Sequence, residues 1–545
     1  MLKKISRRSF LSLSAVTAAT FYLNWPKIKI ASAAMGPKKN VPSVVIGAGL
    51  GGLCTAAFLA REGIPVTVVE QHHIPGGYAT SFDRAEGKFT FEVSLHGTAI
   101  KNHTTRRILE NLGIYDQLDL VLLPEAYRIK TPDHDIVISQ KDPEAYIRTL
   151  SALFPDESGG IRSFVQTMLD IDAEVQSYDR QSKFLKKWLK IIFPLQYRAM
   201  WHIRHQTLAD LLDEHVHAPA LRGILAGMWG YYGLPPEKLS GFYYANATGA
   251  YLRNGSYTIK SRSQDLSDLL ADTIETAGGE IIYETSADKI LTENNRVKGV
   301  VLSDGRTLPA RTVVSNASAP ATFNRMLAPG TVPADYLNKL NHYRPSISTF
   351  IVWLGLNQSI AGKIPGFSTN IHSGNDPQTD YRLCLDGRIE AVSFSICIYD
   401  NLFKGYSSPG TSTITLLTLC GYAPWKRFET DYQNGHKAAY NHEKKRWADI
   451  LIQRAEQALI PGLASMIEVK EAATPLTNRQ FTGNPQGAIY GFEQSMGNAY
   501  MNRIDNRTPI QGLYLASAWG RPGGGYTGAL RAGAQTFEKI MIDGA

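Results

Sequence analysis

The chain has 545 residues, 43% of them hydrophobic, with a mean hydropathy of −0.18. That is the balance of a soluble globular protein, too long for one simple core and divided into two or more lobes. The formal charge of +8 is no sign of a nucleic-acid partner: Lys3, Lys4, Arg7, Arg8, Lys27 and Lys29, with no acid before Ala34, supply six of those charges and leave +2 for the rest.

The first element is a leader. Arg7-Arg8 sits in Ser6-Arg7-Arg8-Ser9-Phe10-Leu11, ahead of a weakly apolar run from Leu11 to Leu23 and the small residues Ala31-Ser32-Ala33-Ala34. This reads as a twin-arginine signal over residues 1–34. The run is shorter than the roughly 18–20 residues a spanning helix needs. Such a signal implies passage through the Tat translocase in folded form, to the periplasm or another exported location. Cys54, Cys384, Cys397 and Cys420 are widely spaced and form no disulfide framework, in keeping with folding in a reducing cytoplasm before export.

Val44-Val45-Ile46 is a buried-strand run ending in Gly47-Ala48-Gly49-Leu50-Gly51-Gly52. Leu53 to Glu62 has helical composition, Gly63 stops it, and Pro65 to Val69 is a second strand closed by Glu70. Gly47 permits the tight turn, Gly49 lets backbone N–H groups approach a pyrophosphate at a helix N-terminus, and Gly52 lets helix and strand pack closely. Glu70 stands where a carboxylate reaches ribose hydroxyls. A second glycine pair, Gly76-Gly77, follows with Thr80 and Ser81. The whole reads as a dinucleotide site. FAD and NAD both remain open at this point, although no second G-x-G-x-x-G marks a separate nicotinamide domain.

Lys183 to His205 holds six Lys/Arg and no acid, interleaved with Phe184, Trp188, Phe193, Tyr197 and Trp201. Basic residues among bulky apolar ones suit peripheral contact with a membrane. His202/His205 and His215/His217 lack the rest of any metal motif, and no metal is expected. Thr258 to Glu275 reads as an amphipathic helix, Glu280 to Glu284 as a strand, and Asp288-Lys289-Ile290 and Val297 to Leu302 as a hairpin turning at Glu293–Arg296. Ala310 to Ser315, Ser346 to Leu356, Ala391 to Tyr399 and Ser412 to Leu419 read as strands, and His436 to Leu459 as a helix. Near the C-terminus, strand Gly512 to Trp519, glycine turn Arg521 to Gly528 and helix Ala529 to Ile542 would bring a second helix N-terminus to the ligand.

Together these segments resemble the FAD-dependent phytoene desaturase group: carotenoid desaturases, carotene cis-trans isomerases and retinol saturases, related to flavin amine oxidases. The glycine turns, Glu70, Phe91-Glu92-Val93-Ser94-Leu95-His96, Gly233-Leu234-Pro235-Pro236, Gly487 to Glu493 and the C-terminal Gly-Leu-Tyr-Leu-Ala segment carry the resemblance. Ser94, Tyr78 and Trp519-Gly520 depart from its usual residues and leave the individual substrate open.

The resemblance implies an α/β fold. A discontinuous Rossmann-type FAD-binding domain (residues 41–115, 255–330 and 480–545) would carry an inserted α+β substrate domain with a helical lid (116–254 and 331–479). It implies FAD held by Gly47, Gly49, Gly52, Glu70, Gly76, Gly77 and Gly524, with Trp519 and Tyr526 flanking the ring. His96 is the first candidate for a catalytic polar group near the flavin, with Tyr490 and Glu493 behind it. The reaction expected is hydride transfer between flavin and a carbon of a hydrophobic polyene. An exported enzyme would exchange electrons with a quinone or redox protein. The alternatives are an amine oxidase-like enzyme and a non-catalytic flavoprotein that binds an isoprenoid.

Overall fold

The computed structural model describes residues 42–94, 96–181 and 192–544. The expected signal at 1–34 lies outside these residues, as do Phe184 and Trp188.

The Val44 run forms the strand Ser43–Ile46, the middle member of a five-stranded parallel sheet. The order across it is Leu513–Leu515, Thr312–Ser315, Ser43–Ile46, Val66–Val69, Glu280–Ile282. Strands covered on both faces read as unbroken apolar runs, and Ser43–Ile46 and Thr312–Ser315 are buried at every position. Helices Leu50–Arg61, Ser263–Thr276 and Tyr526–Asp543 cover one face, sharing a core of Leu53, Ala57, Leu266, Leu270, Leu530 and Phe537. The antiparallel meander Ala287–Glu293, Arg296–Leu302 and Thr307–Pro309 covers the other through Val297, Val300 and Leu302. Asn294 and Asn295, at φ 51° and 57°, make the two-residue turn that such a hairpin demands.

A seven-stranded sheet carries the second lobe. Its order is Ile467–Ala473, Ser348–Leu356, Ser412–Cys420, Phe394–Ile398, Ser368–Ile371, Tyr127–Lys130, Asp135–Ile138. All neighbours are antiparallel except Ser368–Ile371 with Tyr127–Lys130. Side chains alternate along Ser348–Leu356. Phe350 stacks against Trp425 and meets Trp447 of the helix Ala438–Ala458, while Ile351 and Trp353 face the other way. Helices Ser158–Arg180, Arg198–Ile203 and Gly241–Asn254 join this lobe's core through Phe164, Ile203 and Tyr244.

Two expected elements differ in extent. The helix expected from Thr258 begins at Ser263: Thr258 lies in the short strand Tyr257–Ile259, and Arg262, at φ 101°, breaks the chain between them. The strand expected over Gly512 to Trp519 keeps only Leu513–Leu515; the rest turns back across the cavity described below.

Glu92, the last residue of strand Phe89–Glu92, ties the lobes together. Its carboxyl accepts from the backbone N–H of Ser263 at 3.1 Å, from the Ser263 hydroxyl, and from Tyr406 Oη at 3.1 Å. Its carbonyl accepts from Trp353 Nε1 at 2.7 Å. The residue is 1% exposed, and loss of hydration pushes its pKa up to about 7. The folded state thus binds this proton more tightly than the unfolded chain, so stability falls as pH rises from 4.5 towards 7, by about 3 kcal/mol. Glu92→Gln keeps Oε1 as the acceptor for Ser263 N and Tyr406 Oη and sets its Nε2 donor against the Ser263 hydroxyl oxygen. Its melting temperature should therefore decline less between pH 5 and pH 8 than that of the wild type, in thermal unfolding scans; an equal decline would remove Glu92 as the source.

Candidate functional site

One cavity of about 820 Å³ runs through the molecule where the lobes meet. At its first end lies the glycine turn. Gly47, at φ 94°, donates its N–H to Val69 O at 2.8 Å and turns the chain sharply from strand to helix. The helix Leu50–Arg61 begins at Gly49 without a side-chain cap, so its first N–H groups face the cavity region. Gly52 lies behind the turn: a Cβ there would sit 2.2 Å from Gly47 O, the close helix–strand packing its spacing suggests. Glu70 lines the cavity, accepting from Ala48 N at 2.7 Å and His72 N at 2.9 Å; burial raises its pKa. Gly76 and Gly77, both at positive φ, come back against this turn, with Gly76 N donating to Ala48 O at 2.7 Å. Only Gly49 Cα, at 3.7 Å, lies near the Cβ position of Gly77.

Asn316 was not foreseen. It follows strand Thr312–Ser315, donates from Nδ2 to Ala516 O at 2.5 Å and accepts the Gly49 N–H on Oδ1 at 3.1 Å. It thereby sets the spacing between the first glycine turn and the C-terminal segment.

The middle of the cavity is floored by residues 517–519 and 524–529. Helix Tyr526–Asp543 starts at Gly525, also without a side-chain cap, so a second helix N-terminus opens into the same space. Gly524 packs on the backbone of Tyr490, whose Cα would lie 3.0 Å from a Cβ there. Trp519 lines the cavity, held by Nε1–H donation to Asn484 Oδ1 at 3.1 Å and an edge contact with Phe492. Tyr526 sits 3.4 Å from Ser94 Oγ, which donates to Tyr78 O at 2.6 Å.

His96 lines this central part. Its Nδ1 faces Tyr399 Oη at 3.2 Å and Cys397 Sγ at 3.3 Å. Burial raises the Tyr399 pKa and pushes that of Cys397 up to about 12, so both keep their protons and Nδ1 accepts. The ring proton therefore sits on Nε2, which is buried with no hydrogen-bond partner among the described residues. With no carboxylate beside it, burial lowers the His96 pKa to about 4, and the ring is neutral at ordinary pH.

Beyond His96 the cavity widens into a chamber. Tyr490 lines it with Tyr231, Tyr243 and Tyr251, none of which the sequence singled out. Burial raises the pKa of all four, so they present neutral hydroxyls and aromatic faces. Ile351, Trp353, Leu417 and Leu419 of the seven-stranded sheet form the opposite wall. Glu493 is not part of the lining. Its N–H donates to Arg344 O at 2.9 Å, and Arg344 and Lys238 are the cations nearest its carboxyl. His202 pairs with Glu214 at 3.0 Å, and the described residues contain no group of three His, Cys, Asp or Glu suited to a metal.

The geometry fits a dinucleotide. Two uncapped helix N-termini, paired glycine turns and a carboxylate line the cavity from its first end to its middle, and a chamber walled mainly by aromatic and aliphatic side chains lies beyond. A profile of the NAD(P)-binding Rossmann-like domain matches residues 45–112. Prolycopene isomerase 1 of an Oncidium hybrid is 25% identical over 516 residues, 92% of this chain and 84% of that protein. All-trans-retinol 13,14-reductase of Danio rerio is 26% identical over 512 residues, 88% of this chain and 82% of its own length. The solved structure of a putrescine oxidase superposes with a TM-score of 0.61 over 92% of this chain and 99% of its own, at 12% identity, which establishes a common fold. The chain is thus a near full-length homologue of the prolycopene isomerases and all-trans-retinol 13,14-reductases.

Proposed function

We propose that this protein is an FAD-dependent oxidoreductase acting on carbon–carbon bonds of a hydrophobic polyene, and that it is exported folded. The single observation that carries the reading is the continuity of the cavity, from glycine turns to a chamber walled by tyrosines and aliphatic side chains. Full-length similarity to enzymes named for lycopene and retinol supports it.

A flavin in this site supplies two-electron redox chemistry next to the chamber. Its phosphates would meet the N–H groups at Leu50–Gly51 and Tyr526–Thr527, and Glu70 its ribose. Trp519 and Tyr526 would flank the ring. The protein's own part is orientation and exclusion of water. Ile351, Trp353 and Leu417 press an apolar substrate from one side and the tyrosines from the other. Neutral His96 would offer Nε2–H to negative charge developing on the polyene framework, at no cost of desolvating an imidazolium. Tyr399 and Cys397 hold its ring orientation and tautomer. For an exported enzyme, a quinone or a redox protein is the fitting electron partner; of the basic, aromatic stretch, the exposed Leu195 and Trp201 would meet the lipid surface where such substrates reside, whereas Tyr197 is buried and takes no part.

The purified protein should carry FAD, and anaerobic mixing with a panel of retinoids and carotenoids should change the flavin absorbance within the mixing experiment. No change with any polyene, or bleaching by primary amines alone, would sink the reading. Steady turnover with NADPH faster than with any quinone would exclude the proposed electron partner. His96→Phe should retain its flavin but slow the substrate-dependent absorbance change by about 10² or more; an unchanged rate would place His96 outside the chemistry. Replacing Arg7 and Arg8 together by Lys should leave flavin-loaded precursor inside the cell, and unchanged fractionation would remove the export assignment.

A further inference from the structure

The chamber wall formed by the seven-stranded sheet is not uniform. One row of cavity-facing residues crosses it in register: Ile351 beside Leu417, Leu417 beside Ser395, Ser395 beside Asn370. The row begins aliphatic and ends polar. Two residues further along the last strand, about 6–7 Å on, His372 also lines the cavity. Asp380, from the helix Pro377–Asp386, lines the same cavity.

These groups are only partly satisfied by the protein. Ser395 Oγ donates to Asn370 Oδ1 at 2.5 Å, which leaves the Asn370 NH2 group on the cavity side without a partner among the described residues. Asp380 Oδ1 accepts from Ser393 N at 2.8 Å, while its Oδ2 is buried and unpartnered. No described residue hydrogen-bonds the His372 ring, and with no carboxylate beside it, burial lowers its pKa to about 4. A chamber shaped only for a hydrocarbon gains nothing from such a corner, because unpaired polar groups cost free energy when water is driven from them.

We propose that Asn370, His372 and Asp380 form a recognition site for an oxygenated terminus, so that the preferred ligand is a polyene alcohol and not a pure hydrocarbon. A hydroxyl both donates and accepts, which matches a carboxylate oxygen or a neutral imidazole nitrogen as acceptor and an amide NH2 as donor. The inference rests on the polyene reading above and adds to it which end of the ligand lies against the Ser368–Ile371 strand.

The test is equilibrium binding to the flavin-loaded protein, read by quenching of tryptophan fluorescence, since Trp229 and Trp353 both line the cavity. The probes are all-trans-retinol and the matched hydrocarbon lacking its hydroxyl. Retinol should bind at least about 10-fold more tightly to the wild type, the range expected when buried hydrogen-bonding groups are left unpaired by the poorer ligand. The double variant Asn370→Leu with His372→Phe should lose that preference, chiefly by binding the hydrocarbon better, and His372→Gln should retain most of it. Equal wild-type affinity for the two probes would overturn the oxygen site and leave the polyene reading standing. Binding of neither would overturn both. A preference that survives in a folded double variant would overturn the assignment to these residues; the wild-type comparison decides the matter even if that variant does not fold.

Discussion

Asn316 is the point on which this architecture closes. Its backbone N–H continues the sheet by donating to Ile46 O at 2.8 Å, and its side chain bridges Gly49 and Ala516. Three stretches of chain 200 or more residues apart are thereby held at fixed spacing. Gly49 and Gly51 are small for this reason as much as for any ligand: a Cβ on Gly49 would lie 2.5 Å from Asn316 Oδ1, and one on Gly51 2.1 Å from Ala516 O. The two helix N-termini that open into the cavity stand in register because this contact leaves the strands behind them no room to slide. A single amide thus converts a sheet built from distant segments into one rigid cradle.

Electrical neutrality characterises what that cradle faces. His96 and His372 are both uncharged, Cys397 retains its proton, and four tyrosines keep their hydroxyls intact. Charge is kept to the borders. Arg531 pairs with Asp179 at 2.6 Å and meets Tyr500 Oη at 3.2 Å at one edge of the cavity, and Glu92 ends the strand Phe89–Glu92 ahead of His96. A chamber whose walls carry few charged groups beyond Asp380 holds little water, and weak dipoles within it act over a low dielectric. That suits a long apolar molecule whose electrons are shifted without strongly charged groups to pin them.

Much of the cofactor end was legible in the chain because its chemistry is local. Gly47, Gly49, Gly52 and Glu70 fall within one strand–turn–helix–strand unit, and backbone geometry follows from their order. Trp519, Gly524 and Tyr526 could be placed on the cavity because a terminal strand and helix had one sheet to join. The chamber was not legible in this way. Tyr231, Tyr243 and Tyr251 lie on helical segments whose facing is decided by packing against distant elements, and the row from Ile351 to Asn370 exists only once four strands are paired in register. Glu493, adjacent in sequence to a family-like segment, turns towards Arg344 and Lys238 because Tyr490 already occupies the cavity side. The helix expected from Thr258 starts late for a similar reason: a strand pairing with Leu120–Leu122 takes its first residues.

The edge position of Leu513–Leu515 has a temporal consequence. This strand and the turn after it provide the cavity floor and one of its two helix starts. A ribosome adds them after almost everything else, so the nascent chain, however well its first strands have folded, has no complete ligand site until residue 529 has left the exit tunnel. A ligand that needs the whole cradle can therefore be captured only late in biogenesis, after these segments have joined the sheet.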